Sequence, residues 1–159
     1  MMPKPRAAVL SGVATTRVGE LPGSSCLALH AEAAQLALTD AGLALPQIDG
    51  VLCAYSLVEP QVMLSSAFCE YAGLTPRYST TVSMGGVTAA QLVMHAAMLV
   101  ESGRCRHVLI ATGDNGSQIE IASQPTPKIL LPPPAYVPPP AASSELEPGA
   151  IYVFNGGDI

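Results

Sequence analysis

The sequence predicts an α/β domain with the element order β-α-β-α-β-α-β, in which a mostly parallel sheet carries helices on both faces and one helix is central and buried. Apolar runs such as Gly50 to Tyr55 and His107 to Thr112 show no polar alternation. Such runs are typical of parallel strands covered on both faces. Segments with helical spacing separate them, and each segment stops at a glycine.

The first elements follow in order along the chain. The apolar run from Ala7 to Val13 predicts a first strand. Ser24 or Ser25 is a candidate N-cap for a helix from about Leu27 to Ala41, which Gly42 ends. After a short link, Gly50 to Tyr55 predicts the second strand. A second helix is predicted from Met63 to Ala72, closed by Gly73.

The third α/β unit runs from Tyr78 to Gly103. Ser79 to Val82 predicts a β-branched strand, Gly85 and Gly86 a turn, and Val87 to Ser102 a helix. Because this helix is apolar or small at almost every position, we expect it to be buried on all sides. Its N-terminus should present free N–H groups and the positive end of the helix dipole, which suits an anion or an ionised nucleophile. His107 to Thr112 then predicts the last strand.

Composition excludes several classes of function. Of the 159 residues, 49% are hydrophobic and 12% charged, so we expect a real core and a partner that covers some apolar surface. The net charge of −5 and the lack of a basic run argue against nucleic-acid binding. The apolar run near Met1 is too short for a signal peptide or a membrane span, which predicts a cytoplasmic protein. The four cysteines have no metal-type spacing and are expected to be small buried hydrophobes.

The domain organisation changes after residue 116. Residues 1–116 are predicted to form the folded domain, and residues 117–159 a proline-rich extended tail, since nine of the fifteen prolines fall between Pro125 and Pro148. Ala150 to Phe154 is a candidate edge strand within this tail.

Several ordered blocks resemble a known family. They are Ala7 to Ala14, Ile48 to Leu52, Gly85-Gly-Val-Thr88 with its helix to Gly103, and His107 to Asn115. Together they resemble the N-terminal half of thiolase-fold proteins, in particular the sterol-carrier-protein-type thiolases also described as lipid-transfer proteins. The resemblance covers roughly residues 6–115. It implies one thiolase-like half of a two-half fold, and acyl-CoA chemistry in lipid metabolism.

The resemblance also implies a nucleophilic cysteine at the N-terminus of the central helix, where the helix lowers a thiol pKa. Residues Gly85 to Thr88 contain no cysteine, and none lies between Cys69 and Cys105. Cys105 follows a helix of about sixteen residues and would lie about 24 Å away. The second-half histidine and cysteine motifs are absent too. We therefore expect no cysteine-dependent acyl transfer.

Three functions stay open at this point. The first is a truncated thiolase-like acyltransferase or a cysteine-less retro-aldolase-like member that works with an OB-fold partner. The second is a non-catalytic subunit that binds lipid or acyl-CoA. The third is a nonfunctional fragment. By resemblance, a coenzyme A thioester is the expected substrate or ligand, with no bound cofactor or metal, and a homodimer is expected to pair through residues Arg77 to Val82.

The candidate site residues follow from position. Ser83 is the candidate catalytic hydroxyl, although no nearby sequence pairs it with a base and a role as a turn residue is favoured. The candidate ligand-binding residues are Gly85, Gly86, Val87, Asp114 and Asn115. Asp114 and Asn115 follow a strand, at the carboxyl end where α/β sheets bind ligands, or they simply end that strand. For the two glycines the alternatives are a backbone pocket for a ligand carbonyl and tight packing of strand on helix.

Overall fold

The computed structural model of the protein describes residues 7–19 and 21–115. Three strands and three α-helices alternate along this part: α1 (Cys26–Ala41), β1 (Gly50–Ala54), α2 (Leu64–Ala72), β2 (Tyr78–Val82), α3 (Thr88–Glu101) and β3 (Val108–Ala111). The proline-rich tail, the domain boundary at residue 116 and the candidate strand Ala150 to Phe154 lie outside the described residues.

The three strands form one parallel sheet in the order β2-β1-β3. Gly50 at the start of β1 is in register with Tyr78 of β2 and with Val108 of β3. The central strand β1 is buried from Gly50 to Cys53. The prediction of a mostly parallel α/β sheet is therefore confirmed, and the uninterrupted apolar runs mark its two most buried strands.

The two faces of the sheet carry different helices. Val51 and Cys53 of β1 belong to one core cluster with residues of α1 and α2. Leu52, between them, belongs to a second cluster with Leu92 and Leu99 of α3. Because side chains alternate along a strand, the two clusters lie on opposite faces of the sheet. Helices on both faces, as predicted, make a three-layered domain.

Capping residues define the ends of the first two helices. The Ser25 side chain accepts a hydrogen bond from the Ala28 N–H at 3.2 Å, so Ser25 is the N-cap of α1. Gly42 ends α1 with a φ of 66°, and Gly73 ends α2 with a φ of 68°. Both glycines occupy the left-handed conformation that favours glycine at this position. The predicted helix limits are confirmed to within a residue or two.

The predicted first strand is wrong. Residues 7–13 are not part of the sheet, and Val9 is 82% exposed. The segment is held by α1 instead: the Val13 N–H donates to the Asp40 carboxylate at 2.9 Å, and a Cβ on Gly12 would lie 2.5 Å from the Ala37 carbonyl oxygen. An apolar run predicts burial, but a strand also needs a neighbouring strand edge, and no described backbone supplies one here.

The burial predicted for the central helix is also corrected. Only Leu92 and Leu99 of α3 are buried, whereas Met94 and Met98 are 61% and 62% exposed. The reason is that α3 packs on β1 and β3 with one side, and no described element covers its other side. The helix also begins later than predicted, at Thr88, because Gly85–Val87 form a separate 3-10 turn.

Candidate functional site

A cavity of about 250 Å³ opens at the carboxyl ends of β1 and β3, beside the N-terminus of α3. Three parts of the chain line it: Ala54 and Tyr55 after β1, Gly85, Gly86, Thr88 and Ala89 at the start of α3, and Thr112, Gly113 and Asp114 after β3. Three residues that the sequence nominated, Gly85, Gly86 and Asp114, therefore meet in one place. They come together because the carboxyl ends of parallel strands lie at the same edge of a sheet.

Gly85 and Gly86 differ in whether the structure requires a glycine at their position. Gly85 has a φ of 60°, which strains any residue with a side chain. Gly86 has no positive φ, and no described atom lies within 4 Å of a Cβ built on it. Within residues 7–19 and 21–115, neither glycine is therefore needed for tight packing of strand on helix. At Gly86 a side chain would extend into open space along the cavity wall.

Thr88 fixes the shape of this turn. Its hydroxyl donates to the Gly85 carbonyl oxygen at 2.7 Å and accepts from the Met84 N–H at 2.9 Å. The Thr88 N–H also donates to the Gly85 carbonyl. Among the described residues, no hydrogen-bond acceptor is found for the N–H groups of Gly85 and Gly86. Two backbone donors thus stay available in the exposed 3-10 turn that leads into α3.

The Asp114 carboxylate connects the two strand ends behind the cavity. One oxygen accepts from the Ser56 hydroxyl and the other from the Leu57 N–H, each at 2.8 Å. Both oxygens are therefore engaged by the loop that follows β1. Asp114 thereby holds the cavity wall in place.

A polar cluster continues inward from Asp114 to the start of α1. The Ser56 hydroxyl also accepts from the Glu59 N–H, and a Glu59 carboxylate oxygen accepts from the Cys26 N–H, both at 2.9 Å. The Cys26 thiol donates to the carbonyl oxygen of Gly113 at 3.3 Å. A carboxylate at a helix N-terminus is favoured by the helix dipole. The cluster ties α1 to the strand ends that line the cavity.

The Cys26 thiol contacts the lining residue Gly113 and keeps its proton at neutral pH because it is buried. Burial raises the pKa of Cys26 to about 11, the hydrogen bond from Ser56 opposes that rise, and the charges of Asp114 and Glu59 add to it. Burial likewise lowers the pKa of His30, whose Nδ1 lies 2.8 Å from the Cys26 carbonyl oxygen and is its donor. A neutral imidazole beside a protonated, fully buried thiol is a packing arrangement, not a nucleophile with its base.

The other nominated residues lie outside the cavity lining. Ser83 is exposed, and no described side chain is hydrogen-bonded to its hydroxyl. Val87 is 58% exposed and is not part of the lining. Asn115 is 2% exposed, and its amide donates to the carbonyl oxygens of Leu21 and Ser24 at 2.9 and 3.1 Å. That bonding assigns Asn115 to holding the loop before α1.

Sequence reasoning missed part of the lining, namely Ala54, Tyr55, Thr88, Ala89, Thr112 and Gly113. For Thr88 a signal was present, since a threonine three residues after a glycine turn can bond back to the turn carbonyl. For Tyr55 and Thr112 the signal was their position directly after a buried strand.

The described part of the chain contains neither a metal-binding cluster nor a membrane-spanning helix. In residues 7–19 and 21–115, no three His, Cys, Asp or Glu side chains are grouped so as to hold a metal ion. No helix in the same residues has the length and hydropathy needed to cross a bilayer. The cavity offers hydrogen bonding from backbone and hydroxyl groups and one carboxylate, that of Asp114, and its described lining contains no lysine or arginine.

The chain is similar to known proteins in its fold. No protein-family model and no curated protein matches its sequence. Among solved structures, the chain is similar to the priming β-ketosynthase of the R1128 polyketide pathway, with 25% identity, a TM-score of 0.53, and coverage of 59% of this chain and 28% of that one.

Two further solved structures show the same fold. An OleA variant from Xanthomonas campestris, with bound lauric acid and lauroyl-CoA, matches with 19% identity and a TM-score of 0.51 over 57% of this chain and 28% of that one. The 3-oxoacyl-(acyl carrier protein) synthase III of Xanthomonas oryzae matches with 20% identity and a TM-score of 0.51 over 57% and 27%. The chain thus spans under a third of the length of these structures. Its described part has the α/β fold of one thiolase-like half.

Proposed function

We propose that this chain binds the thioester of an acyl-CoA at the Gly85–Gly86 turn without forming a covalent bond to it. The observation that carries the proposal is a pair of N–H groups, those of Gly85 and Gly86, that have no acceptor in the described part of the chain, at a turn where no described atom fills the space beside Gly86. A thioester carbonyl oxygen accepts hydrogen bonds from such donors, and glycine allows its close approach.

Binding is favoured over acyl transfer because the thiols are unsuited to attack. All four cysteines are buried, and burial raises the pKa of each of them. A thiolate is the nucleophilic form, so these side chains are inert at neutral pH. We expect no acyl adduct on any cysteine after incubation with lauroyl-CoA, read by mass spectrometry of the intact chain. A stable mass increase of one acyl group would contradict the proposal.

Binding is also favoured over retro-aldol cleavage of a CoA-linked β-hydroxy compound. That reaction needs a base that removes the hydroxyl proton. Asp114 is the one carboxylate in the described lining, and its contacts are with Ser56 and Leu57 of the loop after β1, which supports a structural role for it. The role that these contacts favour for the chain is that of a lipid- or acyl-CoA-binding subunit. A sterol-side-chain acyl group, as the resemblance to sterol-carrier-protein-type thiolases implies, is one ligand of this class.

Calorimetry with Gly86→Val tests the site. Valine at this position places a branched side chain where the thioester would lie, while the backbone there accepts a side chain without clash. The matched control is Ala90→Val, because Ala90 is exposed on α3 one turn further on and does not line the cavity. We expect Gly86→Val to weaken lauroyl-CoA binding by at least about tenfold, which corresponds to about 1.4 kcal/mol. Equal weakening by both variants, or by neither, would place the ligand elsewhere.

We also propose that two copies of the chain pair along β2. This strand is an edge of the sheet in the described part, so its outer backbone groups face away from β1. Exposed strand edges are templates for pairing with another chain. Light scattering of the native chain should give the mass of a dimer at micromolar concentrations. Ser79→Pro removes an N–H that faces outward, because the backbone groups of Tyr78 and Val82 on either side bond to β1, and it should shift the mass toward the monomer. A native monomer would refute the pairing.

A further inference from the structure

Tyr55 is the first residue after the central strand β1, and it lines the cavity beside the Gly85–Gly86 turn. Hydrogen bonds on both sides fix its backbone. The Tyr55 N–H donates to the Val82 carbonyl oxygen, at the end of β2, at 3.1 Å. Its neighbour Ser56 donates to the carboxylate of Asp114, which follows β3, at 2.8 Å. The Tyr55 backbone is thus held between the ends of the two outer strands, and a residue held in this way is suited to a binding site.

Four residues of the described lining have a polar side chain, and three of these residues already interact with the chain. The Thr88 hydroxyl bonds to the turn itself, and the Asp114 carboxylate bonds to the loop after β1. Thr112 has an interaction within the chain as well. The fourth is Tyr55, whose hydroxyl has no hydrogen-bond partner among the described residues. The Tyr55 hydroxyl is therefore the side-chain donor of this lining that is available to a ligand.

The other two tyrosines of residues 7–19 and 21–115 differ from Tyr55. The Tyr78 hydroxyl lies 3.0 Å from Nε2 of His95, within hydrogen-bond distance. Tyr71 is 56% exposed on α2, so water can bond to its hydroxyl. Tyr55 is less exposed, at 38%, and lines a concave site. When a ligand closes this cavity, the Tyr55 hydroxyl leaves water, and buried tyrosine hydroxyls usually have a hydrogen-bond partner.

We propose that the Tyr55 hydroxyl donates a hydrogen bond to the carbonyl oxygen of the bound thioester, and that it distinguishes thioesters from ligands without this oxygen. The inference rests on the thioester site proposed at the Gly85–Gly86 turn. A carbonyl oxygen has two lone pairs, so it can accept from an N–H of the turn and from the hydroxyl together. The cavity of about 250 Å³ is small, which favours the meeting of donors from both walls on one ligand atom.

Calorimetry on the full chain with two ligands tests this role of Tyr55. Lauroyl-CoA has the carbonyl group, and S-dodecyl-CoA, a thioether of the same chain length, does not. Tyr55→Phe removes only the hydroxyl. We expect it to weaken lauroyl-CoA binding about fivefold, the usual effect of one neutral hydrogen bond, and to change S-dodecyl-CoA binding by less than about twofold. The matched control Tyr71→Phe removes a hydroxyl outside the lining and should leave both affinities unchanged.

Two results would overturn the role of Tyr55 and leave the thioester site in place. Equal weakening of both ligands by Tyr55→Phe would show that the hydroxyl serves the structure of the chain. Unchanged binding of both ligands would show that the hydroxyl does not contact the thioester. In either case Gly86→Val would still weaken lauroyl-CoA binding. If neither variant weakens it, or if the native chain does not bind lauroyl-CoA, the thioester site is refuted and the role of Tyr55 with it.

A measurement on the native chain decides if Tyr55→Phe does not fold. The carbon NMR signal of the Tyr55 ring atom that carries the hydroxyl, Cζ, should shift more on addition of lauroyl-CoA than on addition of S-dodecyl-CoA, because only the first ligand offers the carbonyl oxygen. Equal shifts with the two ligands would overturn the proposal.

Discussion

Replacing Asp114 by alanine should destabilise the domain, because the carboxylate joins the two strand ends behind the cavity. The substitution removes the bond from the buried Ser56 hydroxyl and the bond from the Leu57 N–H. Hydrogen bonds to a charged group contribute about 1.5–3 kcal/mol each. Leu57 is 77% exposed, so water can replace the second acceptor and its loss counts for less. We therefore expect a loss of about 2–4 kcal/mol in the free energy of unfolding.

Asparagine at the same position should cost much less. Its amide oxygen can accept from the Leu57 N–H, and its NH₂ group can donate to the Ser56 oxygen, whose proton is free to rotate. Two neutral hydrogen bonds then replace two charged ones. The expected loss is about 1 kcal/mol.

Urea denaturation of the full chain measures both values, with Glu32→Ala as the control because Glu32 is an exposed carboxylate on α1. Asp114→Ala should lower the free energy of unfolding most, Asp114→Asn less, and Glu32→Ala least. It would be refuted if Asp114→Ala behaved like Glu32→Ala. It would also be refuted if Ser56→Ala and Asp114→Ala were fully additive, since residues in direct contact should be coupled.

Three further predictions concern packing and pH. Leu92→Ala should cost about 2–5 kcal/mol, whereas Met94→Ala on the exposed side of α3 should cost under about 0.5, both read by urea denaturation. Gly12→Ala should release the N-terminal segment from α1, because its Cβ would lie 2.5 Å from the Ala37 carbonyl oxygen, and limited proteolysis should then cut that segment faster. Stability should fall as pH rises above about 9. Thiols of the unfolded chain ionise there, while Cys26 of the folded protein keeps its proton until about 11. In thermal melts, Cys26→Ala should make this fall less steep.

The fold was predictable from sequence where burial and strand pairing coincide. Gly50 to Cys53 and Leu109 to Ala111 are uninterrupted apolar runs, and both are buried strands of the sheet. Residues 7–13 have the same pattern but no place in the sheet. Hydropathy reports that a segment avoids water, whereas a strand also needs a partner edge, which the local sequence does not encode.

The same distinction explains α3. Its small and apolar residues predicted burial on all sides, but the described structure covers only the side of Leu92 and Leu99. The amino-acid composition of a helix shows that all its sides can be buried. It does not show which part of the chain, or which partner, would bury them.

The candidate site was predictable to the extent that it depends on strand ends. Gly85, Gly86 and Asp114 were found from their positions after strands, and all three line the cavity. The cluster of Cys26, Ser56 and Asp114 was not predicted. Ser56 and Asp114 are 58 residues apart in the sequence, and Cys26 and its partner Gly113 are 87 residues apart. No local pattern links residues at such separations.

Gly86 is the residue whose backbone conformation and surroundings best support the proposed ligand site. Sequence reasoning treated the two glycines alike and weighed packing against a pocket for both. The structure separates them: Gly85 is required by its φ of 60°, whatever binds nearby. Gly86 has neither a glycine-only backbone nor a neighbour that a side chain would strike. Backbone geometry and the described neighbours therefore do not account for its lack of a side chain. The proposed thioester would account for it, because its carbonyl oxygen has to come close to the N–H groups of this turn.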